Sequence, residues 1–265
     1  MSLTVTILGC GSSGGVPRPA LGWGDCDPTE PKNRRRRCSI LVERDSPAGT
    51  TRLLVDTSPD LREQLLDAGV THLDAVLFSH DHADHTHGID DLRALVLHNR
   101  KRVTVHADAR TQTSLTRRFG YLFETPPGSA YPAILDLQPL QAGEPLVIDG
   151  AGGAVEALPL AVEHGPNYEA LGFRFGGLGY VPDVSLMPRA AKAALAGLDV
   201  LILDCLRETP HPSHFSLRDA LATIAELKPA RAVLTNLHAD LDYNRLRNRL
   251  EPGIDVAFDG MRLSV

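Results

Sequence analysis

The sequence predicts an α/β fold, and three observations carry that prediction. Short apolar runs recur along the chain, each bounded by Gly, Pro, Asn or Asp, as buried strands are. Several later runs are followed by stretches with apolar residues at helical spacing. The order also recurs: each half begins strand-rich and then alternates strands with helices, although no sequence repeat of fixed period accompanies it. The 265 residues permit one large domain or two small ones, and 43% hydrophobic residues are ample for a packed core.

Taken in order, residues 4–8 form a strand that runs into Gly9-Cys10-Gly11-Ser12-Ser13-Gly14-Gly15-Val16-Pro17. By letter this contains a dinucleotide fingerprint, but that motif needs a helix to open within its glycines, and Pro17, Pro19, Gly22 and Gly24 forbid one. The segment is either a turn needing positive φ or a backbone surface that approaches a substrate. Residues 16–37 are irregular and end in Arg34-Arg35-Arg36-Arg37, a run that is partly solvated charge and partly a candidate fork for phosphate. Residues 38–43 and 52–56 are strands, and Asp56 at the second strand's end is either a helix cap or a carboxylate that orients a ligand histidine. A short helix over 61–68 follows, then a buried strand over 74–78 and a helix over 88–98. Residues 102–106 are a strand and 108–119 a polar helix. Residues 120–145, with Tyr121, Phe123, Tyr131 and several prolines, read as a lid or a plain connecting loop. Strands are expected over 145–148, 154–160, 171–175, 178–181, 200–204 and 232–235, with a final one beginning at 256–258. Helices are expected over 188–196, 216–227 and 241–250.

Net charge is −6, which disfavours a general nucleic-acid or anionic-membrane binder. No apolar run approaches the roughly 18 residues of a membrane span, and the first residues lack the pattern of a signal peptide. Cys10, Cys26, Cys38 and Cys205 are scattered with no paired spacing, which fits a reduced, cytoplasmic protein.

The chemistry concentrates in His80-Asp81-His82-Ala83-Asp84-His85-Thr86-His87, between the strand at 74–78 and the helix at 88–98. Four imidazoles and two carboxylates within eight residues are a donor set for a transition-metal ion. Downstream, His164 follows a strand, Asp183 follows a hairpin, and Asp204 ends an apolar strand. His214 lies in a Pro-rich loop before a helix, and His238 follows the late strand at 232–235.

The H-x-H-x-D-H spacing resembles the metallo-β-lactamase superfamily of binuclear hydrolases. Together with the Gly9–Pro17 segment, Arg36-Arg37-Cys38-Ser39, Ser213-His214-Phe215-Ser216-Leu217 and Phe258-Asp259-Gly260-Met261, it makes nearly the whole chain similar to phosphoribosyl cyclic-phosphate phosphodiesterases and, more distantly, to tRNase Z. The resemblance implies a single domain over residues 1–265, built as a four-layer αββα sandwich. It implies two divalent ions, zinc or manganese with iron admitted by the His/Asp donors. His80, His82 and His164 would hold one ion, Asp84 and His85 with a late histidine the other, and Asp183 would bridge them. Those phosphodiesterases place the late histidine directly after the strand's Leu-Thr. Here that position is Asn236, so His238, the only histidine in that turn, takes the assignment. They also carry an early cysteine cluster for a structural zinc, of which Cys26 alone is present, so no third ion is expected.

The resulting expectation is a phosphoric diester hydrolase acting on a small cyclic or nucleotide-like phosphate ester. His214 would be the proton donor, although its flanking serines also suit a plain helix cap. Asp84 and the metals would activate the nucleophile, Asp56 would stand behind them, and Arg36, Arg37 and Arg117 would meet phosphate. A tRNA 3′-processing endonuclease and an iron-binding redox or sensor protein are the alternatives, and a homodimer is left open.

Overall fold

The computed structural model describes residues 3–265. The first half of the chain lays down β1 (Leu3–Gly9), β2 (Ser39–Ser46), β3 (Gly49–Val55), α1 (Leu61–Asp67), β4 (Ala75–Leu77), the single turn α2 (Ala83–Thr86), α3 (Arg93–Asn99), β5 (Val103–Ala107), α4 (Ala109–Phe119) and β6 (Leu135–Pro139). The second half lays down β7 (Leu146–Ile148), β8 (Val155–Glu163), β9 (Glu169–Phe175), β10 (Leu178–Val181), α5 (Arg189–Ala194), β11 (Val200–Asp204), α6 (Leu217–Leu227), β12 (Arg231–Thr235), α7 (Tyr243–Arg247), β13 (Ile254–Val256) and β14 (Met261–Ser264).

These form two seven-stranded sheets, ordered β14-β1-β2-β3-β4-β5-β6 and β13-β12-β11-β10-β9-β8-β7. The recurring order seen in the sequence has a direct structural counterpart. β1 to β3 are antiparallel and β4 to β6 continue in parallel. Likewise β7 to β10 are antiparallel and β11 to β13 continue in parallel. Antiparallel neighbours need only a tight turn, whereas parallel ones need a crossover, which is why helices enter only in the later part of each half.

Strand alternation sorts the apolar residues into layers. Val5, Ile7, Ile40, Val42, Leu53 and Val55 meet Phe173, Phe175, Tyr180, Ile202 and Val233 between the two sheets. The intervening Leu8, Leu41 and Leu54 face outward and pack with Leu61, Leu65, Val96 and Leu115 from the helices of the first half. Leu201, Leu203 and Leu234 do the same with Ala191, Ala220, Ile224 and Leu246 on the other side. The layer order is therefore helix, sheet, sheet, helix, the expected four-layer sandwich.

Two local expectations change. The stretch 120–145 is not all lid or loop. Its Leu135–Pro139 portion is β6, paired in parallel with β5, and the acidic and proline residues among its apolar ones disguise an edge strand. The arginine run divides sharply: Arg34 is exposed, but Arg35 is 2% exposed. Its guanidinium donates to the Leu241 carbonyl at 2.6 Å, the His238 carbonyl at 3.1 Å and Asn33 Oδ1 at 3.2 Å. It thus ties the irregular segment 16–37 to the turn after β12. Cys26, Ala239, Val16 and Trp23 pack beside it as a small apolar cluster. All four cysteines are free and buried. The glycines of the first loop are also explained: a Cβ on Gly9 would lie 2.0 Å from the Arg37 carbonyl oxygen, so this backbone packs flat on residues 35–37.

Replacing Arg35 by Met should destabilise the fold by about 3 kcal/mol or more, since two buried carbonyls would lose a charged donor. Urea unfolding of the variant against the wild type checks this.

Candidate metal centre

Six residues of the cluster and its surroundings lie at or just beyond the carboxyl end of a strand. Asp56 follows β3, His80 follows β4, His164 follows β8, Asp183 follows β10, Asp204 ends β11 and Asn236 follows β12. Ligand sites of open α/β sheets form in this crevice because the loops there are free to vary while the strands are fixed. Asp56 and Asn236 both have left-handed backbones, φ 65° and 61°. Each such non-glycine residue costs on the order of 1–3 kcal/mol, strain of the kind that collects at functional sites.

His80, His82 and His164 bring ring nitrogens within 4.8 Å of one another, and His80, His85 and Asp183 form a second such group. His164 Nε2 is 3.2 Å from His82 Nδ1. Asp183 Oδ2 is 3.3 Å from His80 Nε2 and 2.8 Å from His85 Nε2. Asp84 Oδ2 stands 3.5 Å from His85 Nε2.

The opposite nitrogens are held from behind. Asp56 accepts from the Ser79 backbone N–H at 2.8 Å, from the Ser79 hydroxyl at 2.7 Å and from His85 Nδ1 at 2.8 Å. Ser79 Oγ is 2.9 Å from His80 Nδ1, and His164 Nδ1 donates to the Ser213 carbonyl at 2.6 Å. Tautomer and ring orientation are thereby fixed so that His80, His85 and His164 present Nε2 inward.

The electrostatics fit a cation. His80 Nε2 and His85 Nε2 are sealed from solvent and neither makes an aligned hydrogen bond, despite the nearby carboxylate. Burial and the neighbouring His85 push the His80 pKa well below its usual value. For His85, burial is outweighed by Asp183, Asp56 and Asp84, which raise its pKa well above the usual value. The Asp183 carboxyl is held well below the normal carboxylate range, its burial outweighed by His85, His80 and His164. A buried set of lone-pair donors around an ionised carboxylate is the environment a divalent ion compensates.

His214 is placed differently. Its Nδ1 lies 3.0 Å from Asp204 Oδ2, which also accepts from the backbone N–H of Val184 at 3.0 Å. Burial is outweighed by Asp204, which raises the His214 pKa to about 9. Ser216, not His214, caps α6, through a capping box with Asp219. The ring packs 4.7 Å from His164, beside the cluster.

Not every expected residue arrives. His238 Nδ1 pairs with Asp240 at 2.9 Å, and the ring joins none of the groups able to share an ion. The left-handed turn at Asn236 carries the chain past the cluster, so Asn236 faces Asp183 and His238 does not. Arg36 pairs with Asp67 and Asp259, and Arg37 with Asp60. Both line a cavity of about 790 Å³ that contains none of the cluster's side chains. Arg117, by contrast, lines a cleft of about 670 Å³ with Arg110, Arg118 and Asp81, adjacent to His82. There Tyr168 stacks on His82 with centroids 4.8 Å apart, donates its hydroxyl to Asp81, and carries the Arg110 guanidinium 3.8 Å over its ring. Neither Tyr168 nor Arg110 sits in a motif or a periodic pattern of the sequence. Asp204 had one signal, a carboxylate ending an apolar strand as Asp56 nearly does.

Comparison with known proteins follows this geometry. The sequence profile of the beta-lactamase superfamily domain matches residues 51–236, from β3 to Asn236. The chain belongs to the beta-lactamase superfamily. Among solved structures it is similar to a diphosphatase of the PhnP family, with TM-score 0.89 and 34% identity, covering 100% of this chain and 98% of that one. It shares its fold with zinc-bound PqqB from Methylobacterium extorquens, at TM-score 0.74 and 22% identity over 98% of this chain and 99% of that one. Among curated sequences it is 33% identical to an octanoyltransferase of Porphyromonas gingivalis over 96% of this chain and 50% of the relative, so the chain spans about half of that protein's length. It is also 33% identical to ribonuclease Z of a Bradyrhizobium strain over 55% of this chain and 46% of the relative.

Asp56→Ala should weaken divalent-ion binding by about 10–100-fold, because His85 would lose the carboxylate that sets its tautomer. Calorimetric titration of the metal-stripped protein with Mn²⁺ measures it.

Proposed function

We propose that this member of the superfamily is a metal-dependent phosphodiesterase acting on a small cyclic or nucleotide-like phosphate ester. The observation that carries the reading is the inward convergence of His80, His82, His85, His164, Asp84 and Asp183, beside a histidine–aspartate pair and a cleft lined by three arginines. The similarity to a PhnP-family diphosphatase over the full chain supports phosphoryl chemistry. His80, His82 and His164 would hold one divalent ion and Asp84, His85 and Asp183 a second, with zinc, manganese or iron compatible with the donors. When bound, such ions supply Lewis-acid stabilisation of phosphoryl charge and lower the pKa of water.

The chain's own residues do the rest. Arg110, Arg117 and Arg118 outnumber Asp81 in their cleft and attract the substrate's phosphate toward the cluster. Tyr168 keeps Arg110 and His82 in fixed relation through its stacked ring. Asp204 fixes the His214 Nδ1 proton and leaves Nε2 to deliver a proton to the departing oxygen, whose alkoxide is a strong base. An RNA-processing role would need a basic docking surface, which a net charge of −6 disfavours.

A screen of cyclic and linear phosphodiesters with the metal-loaded protein tests the reading. Turnover of a small diester, abolished by Asp183→Ala, is expected. Cleavage of precursor tRNA with no small-diester activity would refute it.

His214→Ala should lower kcat on an alkyl or sugar ester by about 10²–10⁴-fold, while a nitrophenyl ester, whose leaving group needs no proton, loses far less. Comparing the two substrates at constant metal content checks the proton-donor role. Arg110→Ala should raise KM for the same diesters about tenfold with a smaller change in kcat, as loss of a ground-state phosphate contact does.

A further inference from the structure

The two halves of the cluster are not equally equipped, and the difference centres on Asn236. The side formed by His80, His82 and His164 offers three imidazole nitrogens within 4.8 Å of one another, with Asp183 Oδ2 beside His80 as a fourth donor. Three imidazoles and a carboxylate are the donor count of a tetrahedral site. The other side offers His85 Nε2, Asp183 Oδ2 and Asp84 Oδ2. Beyond them Asp183 also groups with Asp204 and His214, but those two side chains are paired with each other at 3.0 Å.

Asn236 stands against the far oxygen of Asp183. It is 2% exposed, and its Nδ2 donates to Asp183 Oδ1, to Asp204 Oδ1 at 3.1 Å and to the Pro182 carbonyl at 3.1 Å. Nδ2 also lies 3.1 Å from His214 Nδ1. The two carboxylates and the carbonyl are acceptors, so the amide is assigned with its nitrogen toward them. An amide nitrogen has no lone pair for a cation. The same bonds occupy one oxygen of Asp183 and draw electron density from the carboxylate that the two ions would share. Nor does His214 supply the missing donor: its Nδ1 faces Asp204 at 3.0 Å and lies 3.5 Å from Asp183 Oδ1. Asp204 is in turn held by Val184 N–H and Asn236.

We infer that this chain holds one divalent ion tightly, on His80, His82, His164 and Asp183, and a second only weakly, on Asp84, His85 and Asp183, because Asn236 puts a hydrogen-bond donor where a fourth ligand would stand. The inference rests on the reading of the cluster as a divalent-metal site. Its consequence is that the second ion exchanges with the surroundings, so metal supply regulates occupancy.

The test counts ions. Protein made without added metal is desalted and analysed by elemental mass spectrometry, and metal-stripped protein is titrated calorimetrically with Mn²⁺. Expected for the wild type are about one retained ion per chain and a second binding event at least about tenfold weaker. Asn236→His should retain about two ions, whereas His214→Ala should leave the wild-type count unchanged. Thermal melts of each variant confirm folding. Two ions of equal affinity in the wild type would overturn the inference while leaving the metal-site reading intact. So would loss of an ion in His214→Ala, an unchanged count in folded Asn236→His, or no second event up to millimolar Mn²⁺. No ion bound under any condition would overturn both.

Discussion

The structure depends on a concentration of like donors that only positive charge can reconcile. Two imidazole nitrogens with no solvent access, His80 Nε2 and His85 Nε2, point at one ionised carboxylate, and neither is aligned to hydrogen-bond it. Burying unpaired polar atoms costs about 1–3 kcal/mol each, a cost that a divalent ion on these nitrogens, in place of a proton on His85, would offset. Both sheets are arranged to deliver these residues: six contributing strands end within the same crevice, and two of them, β3 and β12, are followed by strained left-handed residues. The apolar layers behind supply the rigidity that keeps that strain from relaxing.

A second constraint is lateral. The Gly9–Pro17 loop, the segment 16–37 and the turn after β12 contain little regular structure, yet they form the flank of the site on the Asn236 side. Arg35 joins them, with one guanidinium spanning the His238 and Leu241 carbonyls and Asn33. A single buried cation with several acceptors can organise three loops, which explains how this flank holds its shape although its cysteines are unpaired.

Much of this was legible in the sequence. Strand alternation gave the sheets, and the density of histidine and aspartate in residues 80–87 gave the metal loop, because ligand chemistry needs those residue types and little else does. His164 stands out because it follows a strand, whereas the role of Asp183 comes from the family resemblance and Asp56 at its strand end suits a cap as well as an orienting carboxylate. The rest depended on backbone direction, which spacing does not encode. His238 is the only histidine in the turn after the late strand, which makes it the natural candidate, but positive φ at Asn236 turns it toward Asp240. Arg36 and Arg37 were read as phosphate ligands from their charge, but carboxylates 23 to 223 residues away in sequence already pair with them. Arg110 and Tyr168 meet only through tertiary structure.

The central claim is that the cluster is built to hold a divalent ion. The most direct measurement is the thermal unfolding of metal-stripped protein titrated with Mn²⁺ or Zn²⁺. A site of this kind should add about 2.7 kcal/mol of stability at an ion concentration 100 times its dissociation constant. The gain should vanish in His164→Ala, which removes one of the three imidazoles of the first group. A melting temperature indifferent to either ion, in protein that is fully folded, would contradict the account.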